Sequence, residues 1–532
     1  MHFSFKQFVH LLILLVFAGT PSFVWAQQKS KIKIENSNFL RMDRVNAPDI
    51  SKFIGDVYIT HENVKMYCDS AYQHDKKNMV EAFGRVHVIQ GDTIHMYGDY
   101  LRYDGNEKLA EVRRNVKLED PRITLTTEHL DFNMNENVGY YFNWGQIVDS
   151  TNVLTSQIGR YYTEDKLFFF KDSVKVETEK HTLYSDTLKY NTETHTAFIL
   201  GPTRIEGEKE TLYSEDGWYN TETNISQLLK NTQLTRDEFS IQGDSIYLDR
   251  EKGIGKLFDN IELQDTINNI ILKGNYLESH KDTEEAFLTD SAIMIQISES
   301  DSLFLHADTL RVVTDSAKNK QIKAYNHVKF FRKDLQGKCD SLVYSMQDST
   351  IRLFSSPILW AQGNQITADT ILIETVENKI KYLRFNGASY LCSKEDSTKF
   401  NQIKGKSMLG YVRNNKMYRM DINGNGETLY YPKDKDEILG VNIAKSSNIS
   451  IRINDNKIDK IIFIKKPDGN MYPLGELPPK QRFLKDFRWL ENYRPKKKED
   501  IFIWDKIPEV SEKKRGSKVK ALKTMEIPKI KD

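Results

Sequence analysis

The chain has little of what specialised folds depend on. It holds 3 cysteines in 532 residues, Cys68, Cys339 and Cys392. An odd, sparse set excludes a disulfide-stapled scaffold, and small buried side chains are the ordinary role for such residues. Cys339 and Cys392 are the pair left for a bond if one forms, and Cys68 has no obvious partner. Thirteen prolines exclude a collagen-like chain. Neither sign of charge prevails: 76 Lys and Arg face 75 Asp and Glu, for a net charge of +1. A nucleic-acid binder needs a surplus of positive charge to neutralise phosphates, so that class is excluded. Long apolar runs are missing beyond the N-terminus, which leaves no later segment able to cross a membrane as a helix. No G-x-S-x-G, H-E-x-x-H or P-loop is present, and the 12 histidines lie at no metal-ligand spacing. Neither a catalytic residue, a metal site nor a cofactor is expected.

What is abundant points to strands. The 26 Tyr and 27 Phe, with many Thr, Ile and Val, favour β-structure. Residues 1–26 have the form of an export signal, with Lys6, an apolar stretch from Phe8 to Ala18, and Val24-Trp25-Ala26 before a cut after Ala26. The mature chain is therefore expected in the periplasm, possibly associated with the outer membrane.

One short pattern recurs along the body: apolar, any, small, acidic or amide, any, apolar, any, apolar. It reads Met96-Tyr97-Gly98-Asp99-Tyr100-Leu101-Arg102-Tyr103, then Leu183-Tyr184-Ser185-Asp186-Thr187-Leu188-Lys189-Tyr190, then Ile241-Gln242-Gly243-Asp244-Ser245-Ile246-Tyr247-Leu248. Its polar position falls at 69, 99, 128, 157, 186, 215, 244, 275, 308, 340 and 369, mostly 29 residues apart. Within each copy the apolar alternation slips by one residue at the small-acidic pair. A strand of period two cannot change its buried face without a bulge or corner, so each copy predicts two short strands joined by a bend, with the Asp bonding its own backbone there. Stretches such as Ala82-Phe83-Gly84-Arg85-Val86 and Leu257-Phe258-Asp259-Asn260-Ile261 carry a similar bend on the returning strand.

A module of this size cannot bury its own apolar face, and stacked copies supply the missing contacts. The fold class expected is all-β: an elongated open β-jelly-roll or β-solenoid of about a dozen ~29-residue repeats, with a short C-terminal helix and a flexible tail. The expected divisions are residues 1–26 as signal, 27–450 as the roll (one, or two fused), 451–493 as a terminal cap, and 494–532 as a basic tail. The helix is expected over Phe483–Tyr493, where Phe483, Phe487 and Leu490 share one face. The tail has 13 Lys and Arg against 7 Asp and Glu.

The export signal, the ~29-residue bent-strand repeat and the small-Asp corner, as in Gly55-Asp56-Val57-Tyr58-Ile59 and Ile94-His95-Met96-Tyr97-Gly98-Asp99, resemble the OstA-like (organic solvent tolerance) family, to which the periplasmic lipopolysaccharide-transport protein LptA and the periplasmic part of LptD belong. The resemblance implies a twisted jelly roll open at both ends, whose inner surface holds the acyl chains of lipid A and whose ends pair edge to edge with other OstA-like rolls. The partners implied are lipopolysaccharide and those rolls. The apolar stripe that would line such a trough is Ile94, Met96, Leu101, Tyr103, Leu125, Leu130, Phe132, Leu183, Leu188, Tyr190, Ile241, Ile246 and Leu248. Two other readings stay open on the residues alone. One is a β-helical polysaccharide-active enzyme using carboxylates of neighbouring turns, among Asp186 and Asp244. The other is a structural or adhesive surface solenoid.

Overall fold

A computed structural model describes residues 30–505, apart from 299–300, 316, 318, 377–378, 415, 435–436 and 455–456. The expected export signal and residues 506–532 of the expected tail lie outside the described residues. The chain divides into two compact units: residues up to Glu208 with Ser214–Glu222, and Lys209–Tyr213 with the remainder from Thr223.

Both units are built the same way. Successive strands pair antiparallel with their neighbours in sequence, as in Ala47–His61, Val64–His74, Met79–Gln90 and Ile94–Asp104 of unit 1. Each long strand runs along one wall, turns a corner and continues along a second wall that faces the first. Alternate side chains point between the walls. In unit 1, Ile59, Met66, Val88 and Met96 come from the first wall and Ala71, Ala82, Leu101 and Val112 from the second, and all are buried.

The corner is a β-bulge repeated along the chain. Two residues of the returning strand oppose one polar residue of its partner: Gly84-Arg85 opposes Asp99, Asp172-Ser173 opposes Asp186, and Asp259-Asn260 opposes Asn275. The paired residues are left-handed, with φ of 71° and 39° at Gly84 and Arg85 and of 54° and 49° at Asp259 and Asn260. Gly, Asn and Asp reach that region at the lowest cost. This corrects the role expected of the corner acids. They bond across the strand, to the second residue of a left-handed pair, and not to their own backbone. Arg85 Nε donates to Asp69 at 2.8 Å, Asn115 Nδ2 to Asp99 at 2.7 Å and Asn260 Nδ2 to Asp244 at 2.8 Å. A Cβ on Gly84 would run into the Asp69 carboxylate, so glycine is required there by both conformation and space.

The C-terminal segment folds back on unit 2. The helix expected over Phe483–Tyr493 is replaced by an extended strap with 3-10 turns at Pro479–Gln481, Glu491–Tyr493 and Lys498–Phe502. The strap crosses the outer face of one wall. Gln402 clamps it with both ends of its amide, donating to the Arg482 carbonyl at 3.1 Å and accepting from the Leu484 N–H at 2.9 Å. Gln365 does the same with the Arg488 carbonyl at 2.8 Å and the Leu490 N–H at 2.6 Å. Further along, Arg494 donates to Gln336 at 2.8 Å, and the buried Lys329 ammonium donates to the Ile503 carbonyl. Residues 494–505, the first part of the expected tail, thus lie against the wall.

Phe502 of the strap covers His306, with ring centroids 4.6 Å apart, and His306 Nδ1 lies 2.8 Å from the Ala292 carbonyl. Burial holds this imidazole below its ordinary pKa, against the opposing pull of the Ala292 carbonyl. Once the strap lifts, the imidazole takes a proton more readily, so docking weakens as pH falls through about 6.5. The denaturant midpoint for strap release, followed by Trp504 fluorescence, should fall between pH 7.5 and pH 5.5, and His306→Gln should flatten that dependence. An unchanged midpoint in the parent chain would contradict it.

Candidate functional site

Unit 1 is closed between its walls. Its inward positions include Phe132, Tyr141, Tyr161, Phe168, Phe170, Tyr190 and Tyr219, all buried. Tyr161 stacks on Phe168 at 4.1 Å, and Phe168 on Phe170 at 5.2 Å. The tips of the two walls are tied by side chains distant in sequence. His61 Nδ1 lies 2.7 Å from the Tyr103 hydroxyl, and Gln90 donates to Asn137 at 2.7 Å. Asp120 accepts from the Tyr161 hydroxyl and Lys166, each at 3.1 Å, and Asp149 accepts from Tyr190 at 2.7 Å. Tyr219 and His181 sit 3.0 Å apart. Burial holds the phenols of Tyr103, Tyr161 and Tyr190 well above their usual range, so each stays a neutral donor or acceptor.

Unit 2 begins with a tie of the same kind, Arg250 to Glu210 at 3.1 Å. Burial pushes the Glu210 carboxyl up, and Arg236 and Arg250 together outweigh it and hold its pKa below the usual value. Beyond this pair the walls stand apart. A cavity of about 340 Å³ lies between them, lined from one wall by Leu234, Ile241, Leu263, Ile270 and Leu272 and from the other by Ile246, Leu248, Leu257, Leu277, Ala286 and Leu310. A larger space of about 910 Å³ lies among Met294, Leu305, Phe330, Leu342, Tyr344, Ile351 and Ile373. The cause is in the side chains. Around the smaller space the lining is mostly aliphatic and small, down to Gly255 and Ala286, with Phe239 and Phe287 its only rings, so volume is left unfilled where unit 1 has a continuous row of packed rings. Leu248, Leu263, Val312 and Ile351 are accordingly only half-buried. Basic groups stand at the rim: Arg236 and Lys320 at the smaller space, Arg332, Lys333 and Lys379 at the larger, with Asp265, Asp301 and Asp334 among them. From Phe385 onward the interior closes again, with Met408, Met420, Ile422 and Ile449 buried.

The residues of the expected trough divide between the units. Ile94, Met96, Leu101, Tyr103, Leu125, Leu130, Phe132, Leu183, Leu188 and Tyr190 are buried in unit 1. Ile241, Ile246 and Leu248 line the smaller cavity of unit 2. The other lining residues of unit 2 carry the same alternation, and their signal was the scarcity of inward aromatics between 239 and 322, where only Phe239 and Phe287 reach the smaller cavity.

The three cysteines are free and buried, and burial pushes the Cys68 and Cys392 thiols up to about 12. Asp186 and Asp244 sit at corners, where Asp244 is engaged by Asn260.

Residues 29–186 and 177–244 match the family described as OstA-like protein, and residues 272–379 match LptA/(LptD N-terminal domain) LPS transport protein. The chain is OstA-like. The second match spans most of the strands around the larger cavity. Among solved structures, LptH of Pseudomonas aeruginosa, titled the LptA homologous periplasmic component of the lipopolysaccharide transport device, aligns at 16% identity over 22% of this chain and 82% of its own, with a TM-score of 0.20. No curated protein matches the chain in sequence. The match over residues 272–379 of this OstA-like chain is thus to a family described as one of lipopolysaccharide transport.

Proposed function

We propose that this protein binds lipopolysaccharide in the periplasm, holding acyl chains of lipid A between the walls of unit 2 as one element of a transport bridge. The observation that carries this reading is the pair of unfilled apolar cavities, the larger set almost wholly within the segment of LptA/LptD N-terminal type and the smaller reaching into it. Each methylene moved from water into such a space gains about 0.8 kcal/mol. The basic rim suits the phosphates of lipid A. Among the described residues of unit 1, rings fill the inward positions and side-chain ties close the walls.

Partner rolls pair at the N-terminal edge. There the strand Phe39–Asp43 is exposed along its whole length, with Phe39 71% exposed and Val45, in the turn that follows, 89%. Leu40 and Met42, which continue the inward rows of the wall, also lack cover. An open sheet edge with uncovered apolar rows is a template for a further strand.

Site-specific photo-crosslinking tests the reading. A photoreactive residue at Leu248 or Ile351 should capture lipopolysaccharide in cells, and one at Met96 or Leu188 should not. Capture at the unit 1 positions but not at Leu248 would refute the assignment to unit 2.

A further inference from the structure

The strap presents a second surface that the transport reading does not use. It crosses seven strands, from Phe400–Arg413 back to Leu303–His306, which is ~29 Å at the usual spacing between strands. Its inward side chains seal the wall: Leu477, Pro495 and Ile501 are buried. Its outward side holds large apolar groups in the open. Phe483 is 43% exposed, Phe502 45% and Ile503 38%. These groups are fixed in place. Phe483 stacks on Phe487 at 4.6 Å, and one face of Phe502 rests on His306. Between residues 480 and 505 seven basic side chains are exposed, against three acidic ones. Arg482 and Lys485 flank Phe483, and Lys496, Lys497 and Lys498 precede Phe502.

We propose that the outward face of the strap docks unit 2 on an anionic lipid surface. Rings and an aliphatic side chain held outward among lysines and arginines are the combination that partitions into a headgroup layer. The apolar groups enter the boundary of the acyl region, and the cations stay with the phosphates. An acidic protein would be attracted by the cations alone and would leave the exposed Phe483 and Phe502 without a role.

The test uses the full chain and vesicles free of lipopolysaccharide, so that its outcome is separate from filling of the cavities. Vesicles of phosphatidylcholine with phosphatidylglycerol should sediment the protein, and phosphatidylcholine alone should not. High salt should release it. The charge variant Lys480→Glu/Lys485→Glu/Lys496→Glu and the apolar variant Phe483→Ser/Phe502→Ser should each weaken partitioning at least ~10-fold. Both variants should stay folded, and the apolar one, which removes the Phe483–Phe487 stack and the cover over His306, is compared with the parent under conditions where Trp504 fluorescence shows the strap docked in both. No partitioning by the parent would overturn the proposal. So would partitioning lost in the charge variant but kept in the apolar one, because that pattern belongs to a purely electrostatic partner such as an acidic protein.

Discussion

Ala286→Trp should cost the protein at least ~10-fold in lipopolysaccharide affinity while leaving it folded. Ala286 lies on the strand Glu285–Thr289 and lines the smaller cavity of unit 2, opposite Leu263 and Leu272. An indole there occupies space that the proposal gives to acyl chain. Displacing only two methylenes costs about 1.6 kcal/mol, which is already more than ten-fold. The ring enters an unfilled space, so the overpacking cost that normally follows a small-to-large change in a core is avoided. Binding is read by equilibrium titration with lipopolysaccharide, and folding by the melting temperature. Undiminished binding by a folded variant would show that the acyl chains lie elsewhere.

Phe168→Ala should do the opposite. Phe168 is buried between Tyr161 and Phe170 in unit 1. Removing a ring from a well-packed stack costs about 3–5 kcal/mol, because the neighbours close only part of the gap. The unfolding transition of unit 1 should move to lower denaturant by that amount. Lipopolysaccharide binding should be unchanged under conditions where unit 1 stays folded. A loss of binding matching the loss of stability would mean that the interior of unit 1 takes part in holding lipid.

The two variants mark where the sequence was legible and where it was not. The repeat was legible because each bulge needs one small-acidic pair on one strand and Gly, Asn or Asp on the next, and these recur at a near-constant spacing. What each corner acid bonds to was not, since its partner sits on the neighbouring strand and varies in type: Arg85, Asn115, Asn260. The ties that close unit 1 share no signature either. His61 with Tyr103, Gln90 with Asn137 and Asp120 with Tyr161 join different chemistries some 41 to 47 residues apart. The division of the apolar stripe into filled and unfilled parts depends on side-chain volume, which alternation does not report. The strap misled for a physical reason. Phe483, Phe487 and Leu490 have helical spacing, but Gln402 and Gln365 take up the backbone groups of Arg482, Leu484, Arg488 and Leu490 that a helix would use for itself. Tertiary bonds outweighed local propensity.

The two-against-one corner also bears on how such a chain changes length. Each bulge settles its own register between immediate neighbours, and no corner depends on one several copies away. A duplication or deletion of one whole period therefore leaves every remaining bulge intact, whereas inserting or removing an odd number of residues within a strand turns its interior row outward. Reach in this family is then free to grow or shrink in whole modules, as a ruler is cut only at its marks.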